Sequence, residues 1–283
     1  MMTTTYILFF TLFAFASAQQ VKFRVNGRDF EQRVNGTWTT FGKFAGVNLG
    51  ITQPGHLPGE VILRKEDYIR RFQRLEALNV KVIRVYSLLH PEFYTTLMEW
   101  NQEHEPLYVL HGCSFPEEDF ENHGQGNDVT ESYIMDQMTD YIARTVKGVY
   151  GQGQVAYRYV QGDRSKPVYG DYTEDISDYL IGWAIGGEIS PHAAYKTNMN
   201  PPKNYNGVYF KSENTTAFEA WVAEIMDFTA KESVKYGHLA PISQTNWVTL
   251  DGIKNPTEAR HSFDKTIPHT SEEDWQEMDQ TKF

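Results

Sequence analysis

The chain reads as an α/β protein built on parallel strands. Two observations predict this: short, nearly continuous apolar runs recur between residues 44 and 247, and segments of helical periodicity separate them. A third limits the count, because the alternation fails after Trp247 and leaves five strand candidates. Periodicity leaves two architectures open, an open five-stranded sheet or a (β/α)8 barrel lacking roughly its last three units.

The first strand is read at Phe44–Gly50. A Gly/Pro-rich loop from Gln53 to Glu60 follows. Tyr68, Phe72, Leu75 and Leu78 then recur at helical spacing. Residues Val80 to Ser87 are rich in β-branched side chains and read as the second strand. Pro91 is suited to open a helix running through Trp100. The run from Pro106 to Gly112 is the third strand, and Ile134, Met138, Tyr141, Ile142 and Thr145 mark one helix face. Residues 148–177, rich in Gly and Tyr, read as an extended loop insertion. Leu180–Gly187 is the fourth strand. Phe218, Trp221, Val222, Ile225 and Thr229 are the core stripe of another helix, and Ala240–Trp247 is the fifth strand. Residues 251–283 are polar, acidic towards the end, and offer no strand pattern.

Composition narrows the function classes. The 283 residues carry 37 acidic and 26 basic side chains, for a net charge of −11. Nucleic-acid binding needs a basic stripe that displaces phosphate counterions, and a polybasic membrane module needs the same sign, so both are disfavoured. An apolar fraction of 40% with 22% charged residues suits a packed domain rather than a disordered one. Aromatic residues, at 14%, are abundant enough both to fill a core and to build sugar-stacking platforms.

The amino terminus sets the expected compartment. An apolar run from Tyr6 to Ala16 ends in Ala16-Ser17-Ala18, too short for a comfortable membrane span and followed by a small-x-small cleavage site. It reads as a signal peptide over residues 1–18, leaving a secreted domain over 19–283. Its n-region lacks Lys and Arg, and an uncleaved anchor is the competing reading. Asn35-Gly36-Thr37 and Asn214-Thr215-Thr216 are N-glycosylation acceptors consistent with export. Cys113 is the single cysteine, so no intrachain disulfide forms; a buried small side chain is the simpler reading than a reactive thiol.

In either architecture the working residues belong at the carboxyl ends of the strands. Those ends supply Asn48, Arg84 through Ser87, His111, Glu188, and Asn246-Trp247. Glu188, after an apolar strand and two glycines, is the sharpest of them. A semi-enclosed mouth would raise its pKa towards general-acid use, whereas a helix cap or an ion pair is its bland alternative. Arg84 sits among Val82, Ile83 and Val85, where a guanidinium needs a partner. His111 alone reads more simply as a hydrogen-bonded core histidine. His104, His111 and His123 lack metal-ligand spacing, and neither a phosphate loop nor a nucleophile elbow is present, so no metal or cofactor is expected.

Taken in order, Gly46-Val47-Asn48, Ile83-Arg84-Val85-Tyr86, Tyr108–Gly112 and Ile181–Glu188 resemble the strand ends of a large clan of retaining glycoside hydrolases. That clan, which includes cellulases, β-mannanases and β-1,3-glucanosyltransferases, has the (β/α)8 TIM-barrel fold. The segments Pro54–Glu60, Asn246–Asp251 and Asn255–Glu258 resemble a little-characterised branch of it, and the likeness spans about residues 41–250. The resemblance implies a barrel incomplete at its carboxyl terminus and a carbohydrate partner, taken here as a neutral oligo- or polysaccharide. It also implies a two-carboxylate retaining mechanism with Glu188 as general acid/base. It places Asn48, Arg84, Tyr86, His111, Trp183, Asn246 and Trp247 around the substrate. Two departures stand out: Gly187 occupies the position where the clan has Asn, and no carboxylate follows a later strand to act as nucleophile. A glycan-binding pseudoenzyme and a truncated fragment are therefore the alternatives to an active enzyme.

Overall fold

A computed structural model describes residues 20–56, 62–114, 128–160, 163–187, 189 and 191–245. The expected signal peptide and the segment after Thr245 lie outside these. The strands and helices, in chain order, are β1 (Gln20–Val21), β2 (Phe23–Asn26), β3 (Asp29–Val34), β4 (Thr37–Thr40), β5 (Ala45–Asn48), α1 (Lys65–Ala77), β6 (Val80–Val85), α2 (Pro91–Glu103), β7 (Tyr108–Ser114), α3 (Ser132–Val149), β8 (Gly153–Val160), β9 (Asp163–Tyr172), β10 (Leu180–Gly186), α4 (Pro191–Asn198), β11 (Lys203–Asn206), β12 (Lys211–Thr215), α5 (Ala217–Lys235), β13 (His238–Leu239) and β14 (Ile242–Thr245).

The central sheet is five-stranded, in the order β14-β10-β7-β6-β5, and every pair in it is parallel. The chain therefore adds each new strand beside the previous one without ever reversing. A doubly wound sheet reverses at a switch point; this one is singly wound, and right-handed crossovers then place its helices on one face. All five strands read from the sequence are present. Among the described residues they form an open sheet, the first of the two architectures left open above, and no closed barrel.

Alternation along the strands separates two cores. Ile83, Val85, Val109, Cys113, Trp183 and Ile185 pack with Phe72, Phe93, Leu97, Met138, Ile142, Trp221 and Ile225 of the helices. The neighbouring positions Val82 and Leu110, with Tyr108, face the other way and meet Phe23, Phe30 and Phe41, and a register shift between Leu180 and Gly182 turns Ile181 to the same side. Those three rings belong to the antiparallel meander β2-β3-β4 and the residue just after it, which covers the amino-terminal half of the second face. Tyr108 sits between Phe23 and Phe41 at centroid distances of 5.7 and 5.0 Å, and its hydroxyl accepts from Gln32 at 3.2 Å.

The helices begin and stop where their residues dictate. Pro91 occupies the first turn of α2, where its missing N–H is no loss. Thr216 and Glu219 form a reciprocal capping box at the start of α5. The residue 148–177 stretch, expected as a loop, instead carries the antiparallel hairpin β8-β9 on the outside of α3, where Arg144 donates to the Ala156 carbonyl at 2.7 Å. The reason lies in Val155, Tyr157 and Tyr159, β-compatible side chains that the surrounding glycines mask in a window average. A second hairpin, β11-β12, is held to α5 by the buried Asp227. Its carboxylate accepts from the Tyr209 and Phe210 N–H groups at 2.6 and 3.0 Å and from the Tyr205 hydroxyl at 3.0 Å. No helix among the described residues is long and apolar enough to cross a membrane.

Candidate functional site

The meander covers only the lower part of the second sheet face, and the upper part holds the strand carboxyl ends. Asn48 ends β5 directly beside Arg84 of β6 in register, and both share the face of Val82 by alternation. Tyr86, two residues on, continues that face and is 41% exposed. The Arg84 guanidinium carbon lies 4.9 Å from the Tyr86 ring centroid, a cation–π stack that fixes both side chains. Arg84 Nε is buried and has no hydrogen-bond partner among the described residues. A donor of a charged group in that state calls for an acceptor to complete it.

Small residues, buried at Gly112 and Ala184, continue the same face along the neighbouring strands. Gly112 of β7 and Ala184 of β10 stand opposite each other in register, with Ser243 of β14 beyond. Gly112 has no alternative: a Cβ there would sit 2.4 Å from the Tyr86 carbonyl oxygen and 2.6 Å from that of Val85. Gly186, at φ +103, is required twice over, since its conformation disfavours any side chain and a Cβ would lie 2.5 Å from the Thr245 carbonyl. The Gly187 N–H donates to that same carbonyl at 3.2 Å, so the chain is held to β14 at the residue before Glu188. Glu188, Asn246 and Trp247 lie outside the described residues.

His111 and Trp183 are not on this face. Both are fully buried against the helices, with their rings 5.5 Å apart. His111 Nε2 is 2.8 Å from the Tyr94 hydroxyl and Nδ1 is 2.9 Å from the Gly112 carbonyl oxygen. Burial lowers its pKa to about 4, against the opposing pull of the Gly112 carbonyl, so the ring is neutral at ordinary pH. The geometry therefore brings Asn48, Arg84 and Tyr86 together and removes His111 and Trp183 from direct contact with anything bound there. The core-histidine reading is the one this placement fits. Cys113, next along β7, is buried with its thiol pKa pushed up by burial, which leaves a neutral thiol rather than a nucleophile.

No family model, curated protein or solved structure matches this chain. Its chemistry rests on its own residues. Among the described residues no cluster of three or more His, Cys, Asp or Glu side chains could hold a metal ion. The two expected glycosylation acceptors are both exposed: Asn35 is at the β3-β4 turn and Asn214 is a residue of β12.

The close main-chain approaches at Gly112 and Gly186, and the meander, are not among the features read from the sequence above. Their signals are present. Asn35-Gly36 joins β3 to β4 with both residues at positive φ (48° and 83°), the two-residue hairpin turn that an Asn-Gly pair favours. Gly27, at φ +63, opens the equivalent two-residue link between β2 and β3.

Proposed function

We propose that the protein is a secreted glycoside hydrolase of (β/α)8-barrel type acting on a neutral oligo- or polysaccharide. The observation that carries this reading is the singly wound parallel sheet with Asn48, Arg84 and Tyr86 gathered at its carboxyl ends. That is where barrel enzymes keep their chemistry. Tyr86 offers a ring face for a sugar, Asn48 an amide for its hydroxyls, and Arg84 a cation able to hold a nearby carboxylate ionised. The net charge of −11 supports a neutral substrate over a polyanionic one.

In this mechanism Glu188 protonates the departing glycosidic oxygen while a second carboxylate attacks the anomeric carbon. Water, deprotonated by Glu188, or an acceptor sugar then releases the glycosyl group. Retention needs the two carboxyl groups about 5–5.5 Å apart. The test uses the full secreted chain and a panel of 4-nitrophenyl β-glycosides and 4-methylumbelliferyl oligosaccharides. Turnover that Glu188→Gln lowers by about 100-fold or more supports the reading. Turnover unaffected by that change removes Glu188 from the role.

Gly187, standing where the resemblance calls for Asn, favours one second reading: a glycan-binding protein without catalysis. Calorimetric binding of cellohexaose or laminarihexaose with no product after prolonged incubation would select it, and absence of both binding and turnover would reject both.

A further inference from the structure

The segment linking β6 to α2, residues 86–90, carries Tyr86 into the candidate cleft, yet its main polar anchors come from behind the sheet. The Leu89 N–H donates to the Tyr94 hydroxyl oxygen at 3.2 Å, and the Leu89 carbonyl accepts from the Tyr172 hydroxyl at 2.6 Å. Both backbone groups of one buried loop residue are thus satisfied by tyrosines, from α2 and from the end of β9. With its oxygen accepting from Leu89, Tyr94 directs its own proton to His111 Nε2, 2.8 Å away. His111 Nε2 is then the bare nitrogen, and Nδ1 carries the proton donated to the Gly112 carbonyl at 2.9 Å. One tautomer satisfies every atom in the chain of bonds.

That chain closes on the cleft. The Gly112 Cα lies directly against the Val85 and Tyr86 carbonyls, where even a Cβ would intrude. The segment is therefore gripped at both ends, by Gly112 at residues 85–86 and by Tyr94 and Tyr172 at Leu89. His111 touches both grips, through its bond to the Gly112 carbonyl and through its bond to the Tyr94 hydroxyl. We infer that His111, on the helix side of the sheet, is a positioning residue that sets the Tyr86 edge of the cleft on the opposite side, acting through Tyr94 and Leu89. Its functional meaning rests on the proposal that this face binds carbohydrate; the coupling itself does not.

Amide hydrogen exchange on the full secreted chain tests the coupling without any substrate. His111→Leu removes both bonds, Tyr94→Phe removes only the hydroxyl, and His111→Gln restores an acceptor at the reach of Nε2. The expected result is exchange in residues 85–90 faster by about tenfold or more in His111→Leu and Tyr94→Phe, with α5 unchanged, and recovery towards the native rate in His111→Gln. Equal rates in His111→Gln and His111→Leu would overturn it. So would acceleration that runs in parallel through α5, which reports global destabilisation. Should His111→Leu fail to fold, Tyr94→Phe against His111→Gln decides by the same criterion. If the coupling holds and neither glycan binding nor turnover is found, the functional proposal fails and the coupling stands.

Discussion

The Arg84 guanidinium carbon rests 4.9 Å over the ring of Tyr86, two residues further along the same strand end. In the proposed reading the ring is a platform for a sugar and the guanidinium a cation held against it. Tyr86→Leu keeps the apolar contact and loses the ring face. Its expected effect is a weakening of hexasaccharide binding of about tenfold, equivalent to about 1.4 kcal/mol. The melting temperature should stay within about 2 °C, because the ring is 41% exposed and contributes little to the core. Calorimetry and a thermal melt measure both. On the proposed mechanism Arg84→Met should instead abolish turnover with binding reduced less, since that mechanism sets its charge beside the nucleophile and not along the sugar.

Glycines at the cleft give a graded series. Gly112→Ala drives a methyl to 2.4 Å from a main-chain oxygen that cannot move without breaking the β6-β7 ladder. The expected cost is about 2–3 kcal/mol, seen as a lower urea midpoint at constant slope. Gly46→Ala is the internal control. Its Cβ would meet nothing closer than 3.5 Å, so a loss below about 1 kcal/mol is expected. Similar losses at the two positions would show that the close approach at Gly112 is not what constrains it.

The middle of the sheet was legible because β6, β7 and β10 carry apolar side chains on both faces and so read as runs whatever their neighbours do. Ile83, Val109 and Ile185 face the helices while Val82, Leu110 and Ile181 face the meander, and a sequence window sees all six alike. That same continuity hid which face each polar residue takes. His111 and Arg84 are both polar interruptions of apolar strands, and only the register tells that Arg84 shares the face of Leu110 while His111 shares that of Ile83. The hairpins were obscured for another reason. The β11 and β12 strands are short, polar and largely exposed, and they are tied down by a tertiary anchor, Asp227, rather than by propensity.

Asp227 is such an anchor, and it titrates. Burial pushes its carboxyl up. The Lys231 ammonium, the Tyr209 and Phe210 N–H groups and the Tyr205 hydroxyl outweigh that and bring it down to about 2. A carboxyl lowered in the fold contributes stability above its unfolded pKa, near 3.8, and loses it as pH falls through the folded value. Asp227→Asn should cost about 2–3 kcal/mol at pH 7, because it weakens several charge-assisted bonds at once. Its deficit relative to the native chain should shrink between about pH 4 and pH 2. Tyr205→Phe, which removes one bond of the set, should cost about 1 kcal/mol.

His111 acts in a different window. Burial lowers its pKa from 6.5 to about 4, so the folded ring stays neutral while the unfolded one takes up a proton. Its contribution is complete above about pH 6.5 and declines as pH falls towards about 4, where the folded ring also becomes charged. The decline amounts to about 3 kcal/mol at most, at 1.36 kcal/mol per pKa unit. Urea unfolding at pH 7.0, 5.5 and 4.5 measures it. His111→Gln carries no titrating ring, and its stability should vary over that range by about 2 kcal/mol less than the native chain's. The two windows do not overlap, because Asp227 begins to lose its contribution only below about 3.8. A native profile as flat as that of His111→Gln between pH 7 and 4.5 would mean that the ring takes up its proton within the fold, and the single-tautomer chain from Leu89 to Gly112 would then be wrong.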